Sequence, residues 1–405
     1  MKLQLLLLLP LLLLLSCDDD PEGQSRARVV YYLNGEAESS MDFRRYVIDR
    51  QVDEPIASES VVWISEVAAN GKMLFETKHG SIHQLWGRCE TGQILSVPMP
   101  VAADPAFEYI YSGSLHQHTS VVPSTTALAY DGHYAAFLSW LRPIGSTDST
   151  TWDLQACIFD CGAWKMRTIG ISDFLRSFFI SEGKGFHLDG IVPSDLSISN
   201  NGDIIALDLI ATQKRADGDP FARRRMLLGG TVDTMHVLTD DDVQPTMVFH
   251  RSRFDGATGT LYALQQDGSG TAFDCRGGSH IIAPSLWRSA PTSFSVSARS
   301  GEFVLAQYSS PTEFIKIVRI RDGKVTPVVM TADQVAQIGP DVITLEDHLH
   351  NTGISISPDG EWLAFEGFAG AETALYIIRR DGTDLRRIAT GTFDVRPVVS
   401  DVVPY

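Results

Sequence analysis

Five of the chain's 11 histidines fall in three short stretches. His116 and His118 precede Thr119-Ser120-Val121, His187 precedes Leu188-Asp189-Gly190, and His348 and His350 precede Asn351-Thr352-Gly353. Neutral imidazoles are good ligands for a divalent transition metal such as Zn, Mn, Fe or Ni. Asp189, Glu346 and Asp347 lie close by in sequence and could complete a shell. The bland alternative is a set of solvent-exposed hydrogen bonders on loops. A second charged feature is the basic island Lys214-Arg215 and Arg223-Arg224-Arg225, around Asp217-Gly218-Asp219-Pro220. It reads as a solvated, mobile hairpin or as a docking arm for an acidic partner. Other chemistry finds no motif: there is no Gly-x-Ser-x-Gly elbow, phosphate-binding loop, dinucleotide fingerprint or His-Glu-x-x-His.

The elements that must position these residues are read from a repeat. Ser357-Pro358-Asp359-Gly360-Glu361-Trp362-Leu363-Ala364-Phe365 is followed by two more apolar runs, at 374–379 and 385–390, separated by a second Asp-Gly. Asp-Gly suits tight turns because Gly accepts positive φ and Asp bonds its own backbone. Related turns occur at Asn70-Gly71, Asp131-Gly132, Asn201-Gly202, Asp255-Gly256 and Ser300-Gly301, each followed by an apolar strand. Units of this length with several short strands indicate an all-β fold built of propeller blades. The strands of the last copy are expected at 353–357, 361–366, 374–379 and 385–389, and those of the copy before it at 294–297, 302–308, 315–320 and 325–329.

The two chain ends fit the same unit. Residues 395–405 resemble a first strand, and 28–33, 43–50 and 55–57 the three that follow it. Combined, they close the ring and remove its open edges. The expectation is a seven-bladed β-propeller closed by strands from both termini. Six blades is the alternative, because the copy at 245–287 is the weakest. In such a ring the first strands line a channel and the loops entering them gather at its mouth, which is where His116, His118, His187, His348 and His350 would converge. Two helices are expected between blades, one at 172–180 with Ser172 as cap, the other opened by the capping-box spacing Thr331-Ala332-Asp333-Gln334.

The Ser-Pro-Asp-Gly copy resembles the WD40-like (PD40) repeat of the TolB-like propeller family, convincingly over one blade and loosely over four or five others. That family includes partner-binding periplasmic proteins, propeller domains attached to peptidases, and a few metal-dependent polysaccharide lyases. The resemblance implies a protein- or glycan-binding module. Its alternative is a metal-dependent, lyase-like enzyme or sensor using the histidines. The hydrolase domain that follows peptidase propellers is not seen after the repeats, so that activity is not expected.

The N-terminus resembles a bacterial lipoprotein signal. Lys2 precedes an apolar stretch, 3–15, that is interrupted by Pro10 and is too short for a bilayer span, which needs about 20 residues. It ends in Leu14-Leu15-Ser16-Cys17, similar to a lipobox, which implies cleavage after 16 and lipidation of Cys17. Residues 17–27 would be the lipidated Cys and an acidic tether, and 28–405 a single propeller domain. The expected location is the bacterial cell envelope, periplasmic or surface-exposed, with the membrane reached through the lipid anchor only. The leaflet stays open, since Asp18-Asp19-Asp20 resembles both an inner-membrane retention signal and a surface-export signal. A net charge of -17 argues against broad nucleic-acid or anionic-membrane binding. Of the other cysteines, Cys157 and Cys161 are near enough to pair across a turn. Cys89, Cys161 and Cys275 fall at equivalent places in different repeats, and free thiols are the expected state for most.

Overall fold

The computed structural model describes residues 27–34, 41–68, 72–79, 82–88, 94–111, 126–129, 131–148, 151–181, 186–215, 222–231, 233–242, 252–254, 260–264, 270–273, 275, 279–283, 293–297, 302–306, 312–319, 322–338, 354–369, 372–391 and 398–402. They form antiparallel sheets and two helices.

The first sheet contains β1 (Ala27–Asn34), β2 (Met41–Val47), β3 (Val52–Val67), β4 (Met73–His79), β5 (Ile82–Arg88) and β6 (Ile94–Ser96). The chain's last strand, Val398–Val402, pairs with β1, from Ala27↔Val402 to Tyr31↔Val398. The sequence suggests a break after residue 57, but β3 runs through it. Its first half pairs with β2 and its second half with β4, which fuses two four-stranded units into one seven-stranded sheet.

The second sheet holds β7 (Phe107–Tyr111), β8 (Thr126–Leu128), β9 (Tyr134–Pro143), β10 (Asp153–Asp160) and β11 (Lys165–Gly170). Its first-strand position is filled in two pieces. β8 pairs with residues 135–137 of β9, and β7 pairs with 139–143. The first strand was expected at 119–121, which lies outside the described residues. Helix α1 (Ile171–Ser181) follows, then β12 (Phe186–Ile198), β13 (Ile204–Arg215), β14 (Ala222–Thr231) and β15 (Met235–Asp242). The weak copy near 245–287 yields a four-stranded sheet: β16 (Ser252–Phe254), β17 (Leu261–Leu264), β18 (Gly270–Phe273) and β19 (Ser279–Ala283). The next sheet is β20 (Ser293–Ser297), β21 (Glu302–Ala306), β22 (Ile315–Arg319) and β23 (Lys324–Pro327). After helix α2 (Ala332–Ile338) come β24 (Ile354–Ile356), β25 (Trp362–Ala369), β26 (Glu372–Arg379), β27 (Arg386–Thr390) and the closing β28 (Val398–Val402). These last two sheets follow the expected strands within a few residues.

One turn recurs with the same hydrogen bonds. Ser357 Oγ accepts from the Trp362 amide at 2.9 Å and donates to Asp359 Oδ1 at 2.5 Å, and that oxygen also accepts the Glu361 amide at 3.0 Å. Gly360, at φ 75°, donates to Ser357 O. In the turn before β13, Ser199 Oγ accepts from Ile204 N at 3.0 Å, Asn201 Oδ1 accepts from Asp203 N at 3.2 Å, and Gly202 sits at φ 68°. In the turn before β9, Asp131 Oδ1 accepts from His133 N at 3.0 Å and Gly132 sits at φ 70°. A short polar side chain two residues before a backbone N–H, with Gly at positive φ, is what these turns require.

The inner strands β9, β10, β13 and β25 are apolar on both faces because each packs against a core on either side. In β13, Ile205, Leu207, Leu209 and Ala211 join the core shared with α1 and the second sheet, while Ile204 and Ala206 face Leu261 and Phe273 of the following sheet. α1 buries Ile171, Leu175 and Phe179 in the first of these cores. Ser172 does not cap the helix in the expected way. It is buried, and its Oγ accepts the Leu154 amide of β10 at 2.8 Å. The capping box of α2 is present: Thr331 Oγ1 accepts from Gln334 N at 3.2 Å and Thr331 N donates to Gln334 Oε1 at 2.8 Å.

Candidate functional site

The β13–β14 hairpin carries the basic island, and the structure divides it. Lys214 and Arg215 are the last residues of β13, and Arg223, Arg224 and Arg225 lie near the start of β14. Both ends of the island are thus ladder positions rather than loop, and only 216–221 lie outside the described residues. Arg225 is not a surface residue. Its Nε donates to Asp208 Oδ1 at 3.1 Å and its terminal nitrogen to Oδ2 at 2.6 Å, with side chains 5% and 0% exposed. It is thereby removed from the set of docking residues. Arg224 is half-buried, with its guanidinium 5.9 Å from the ring centre of Phe178 and 5.6 Å from that of Phe179 on α1. In the next strand, Asp242 stands opposite Arg224 and Asp241 opposite Arg225. The Arg225 charge of the island is thus met inside the molecule, by Asp208.

Asp208 is the group that sequence reasoning passed over. It is the lone acid in Ile204-Ile205-Ala206-Leu207-Asp208-Leu209-Ile210. Alternation along β13 puts it on the Ile204–Ala206 side. Asp195 of β12, also buried, stands directly across from it, beside an irregularity in the strand. Burial pushes the Asp208 carboxyl up, to about 7, and Asp195 adds to the rise, while Arg225 pulls it down. The signal available in the sequence was a charge inside an apolar strand, which must find a partner or stay neutral.

Among the proposed metal ligands, His187 is the second residue of β12 and pairs in register with Lys214. It lies within a strand rather than in the loop before one. His116, His118, His348 and His350 lie outside the described residues, as does the proposed lipidation site Cys17. Among the described residues, no group of three or more His, Cys, Asp or Glu side chains could hold a metal ion. Cys157, Cys161 and Cys275 are not joined in disulfides. Burial pushes the Cys157 thiol up to about 12. No helix among the described residues is long and apolar enough to cross a membrane.

No protein-family profile matches the chain, and no curated protein matches it. Several solved structures are similar at low identity. TolB from Acinetobacter baumannii is 11% identical with a TM-score of 0.45, over 92% of this chain and 66% of that one. Dipeptidyl peptidase 4 of Porphyromonas gingivalis is 9% identical with a TM-score of 0.44, over 89% and 50%. A functionally unknown protein from Desulfotomaculum acetoxidans is 10% identical with a TM-score of 0.48, over 94% and 100%. The chain thus spans just under two thirds of the first and half of the second. Superpositions this loose bear on no functional residue.

Proposed function

We propose that the chain is a lipid-anchored, TolB-like propeller of the bacterial cell envelope, with seven blades, that binds a protein or a glycan through loops at one end of its channel. The observation that carries this is the pairing of β28 with β1. It makes one four-stranded unit from the two ends of the chain. Counting the fused first sheet as two units gives seven in all. Neighbouring first strands support the ring: β28 touches both β24 and β3, β3 touches β8, and β8 touches β12. Arg28 of β1 adds an ion pair to Asp359 of the preceding unit at 3.0 Å.

A closed ring occupies its inner strand edges, which leaves loops to carry recognition. By strand direction, the β13–β14 hairpin and the loops entering β12 and β24 lie at the same end. Lys214, Arg215 and Arg223 would be the charged contacts there, toward an acidic protein or glycan. The test uses the full lipidated chain in detergent, passed over solubilised envelope proteins and glycans. A variant with 216–221 replaced by a two-residue turn is expected to lose the captured partner. Undiminished capture by that variant would count against this surface.

A further inference from the structure

We infer that the end of the molecule carrying the Asp131-Gly132, Asn201-Gly202 and Asp359-Gly360 turns lies against the membrane, with Trp164 at the level of the lipid headgroups. This rests on the reading above, that Cys17 is lipidated and that the sheets form one ring, and it adds which face meets lipid and which faces the partner.

The first observation is where the tether would enter the fold. Residues 18–26 separate Cys17 from Ala27. Nine residues span about 30 Å at full stretch, and about 17 Å on average if flexible. Ala27 is fixed by its pairing with Val402. The next residue, Arg28, binds Asp359 in the Ser-Pro-Asp-Gly turn at 3.0 Å and reaches Asp49 in the β2–β3 turn at 3.8 Å. The tether therefore joins at the turn end. From there β1 runs its eight residues, about 27 Å, toward the other end. A tether shorter on average than that strand favours the turn end at the bilayer. The opposite pose needs a fully stretched tether running along the outside of the fold.

The second observation is what this end presents. Trp164 occupies the tip of the β10–β11 hairpin and is 54% exposed. The tip is rigid. Asp160 Oδ1 accepts from the amides of Gly162 and Ala163 at 2.9 and 2.8 Å, and Trp164 stands at φ 53° with its ring edge-on to Phe159 at 4.9 Å. The hairpin is tied to the turn end, because Cys161 N donates to His133 O at 2.9 Å and Arg167 bonds Gly202 O and Asp203. An exposed, preorganised indole suits the bilayer–water interface, where its apolar ring and polar N–H are both accommodated. Net charge does not drive the contact, since Lys165 and Arg50 share this end with Glu361 and Asp381. At the other end α1 presents Ile180, 74% exposed. In this orientation α1 and the basic hairpin point away from the membrane.

The test reconstitutes the full lipidated chain in phosphatidylethanolamine–phosphatidylglycerol vesicles, with or without lipids brominated near the headgroup, and reads tryptophan quenching. The wild type is expected to show a quenched fraction, from one of its seven tryptophans. That fraction should vanish in Trp164→Phe and should not return in Trp164→Phe/Ile180→Trp. Persistent quenching in Trp164→Phe overturns the proposal, and so does quenching restored by Ile180→Trp, which means the reverse orientation. Wild type that floats with the vesicles unquenched overturns the orientation alone. Wild type that fails to float, or Cys17→Ser that floats equally well, sinks the anchoring reading and this inference with it. Circular dichroism of each variant verifies that the fold is intact.

Discussion

Arg225 and Asp208 form a two-pronged ion pair, at 3.1 and 2.6 Å, between adjacent strands where neither side chain reaches solvent. Asp195 stands across the ladder from Asp208, so a second acid lies beside the paired one. Such a pair adds little net stability, because desolvation offsets attraction, but removing one partner leaves a buried charge. An arginine that looks like part of a docking surface is thus a structural residue of the sheet.

Arg225→Ala, measured by urea denaturation at pH 8, is expected to cost about 3–5 kcal/mol, since Asp208 loses the cation that pulls its carboxyl down and must either keep an unpaired buried charge or take up a proton to fold. The double replacement Arg225→Met/Asp208→Leu should recover most of that loss. Equal damage from the single and double variants would mean that packing, not the stranded charge, sets the cost. A wild-type-like Arg225→Ala would contradict the burial of the pair.

The same carboxyl sets a pH dependence whose sign follows from its position. Its ordinary value is 3.8 and burial raises it to about 7 in the fold. Between about 4 and 7 the folded chain holds this proton and the unfolded chain does not. The contribution is therefore full at low pH and is lost as pH rises through about 7. Asp208→Asn has no such proton to lose. Its unfolding free energy should fall less than that of the wild type between pH 4.5 and 7.5, and parallel curves would assign the titration elsewhere.

What the sequence disclosed and what it hid follow from the range of the interactions involved. The Ser357 turn and the Thr331 capping box are legible because every partner lies within five residues. Ser172 misleads as a cap because its oxygen is taken by Leu154, 18 residues earlier in the chain. Arg225 reads as surface because its partner lies on the neighbouring strand, 17 residues away. β3 hides its continuity because two units share one strand, a fact of pairing and not of local propensity. The split first strand of the second sheet, β7 and β8 along one edge of β9, is invisible for the same reason.

Two glycines at positive φ separate backbone strain from packing. Gly145, at φ 77°, has nothing within 4 Å of an added Cβ, so Gly145→Ala carries only the left-handed penalty, about 1–2 kcal/mol. Gly202, at φ 68°, would bring a Cβ to 2.4 Å from the Tyr134 ring of the preceding sheet. Gly202→Ala adds overpacking of about 1–3 kcal/mol. Thermal unfolding should rank Gly202→Ala clearly below Gly145→Ala. Equal losses would mean that Tyr134 moves aside freely and that the two sheets are loosely joined at this turn.

The cysteines differ in reactivity by burial. The attacking species is the thiolate, and Cys157, fully buried and with its thiol raised to about 12, has almost none at pH 8. Cys161, half-buried in the turn just after that strand, is the more accessible of the two. Alkylation of the native chain followed by peptide mass spectrometry should label Cys161 within minutes and Cys157 only after denaturation. A Cys157–Cys161 disulfide recovered from the native chain would contradict the unbridged thiols of the structure.

The histidines offer a separate test that does not depend on a partner. His187 lies within β12, in backbone register with Lys214, rather than in a loop, so its part in a metal site needs a direct measurement. The elemental content of the chain from residue 18 onward provides it. A metal site at the channel mouth requires near-stoichiometric transition metal in the wild type and its loss in His118→Ala/His187→Ala/His350→Ala. Metal retained by that triple variant would place it elsewhere. An empty wild type, even after incubation with Zn, Mn, Fe and Ni, would remove the enzyme or sensor alternative and leave binding through the loops as the working function.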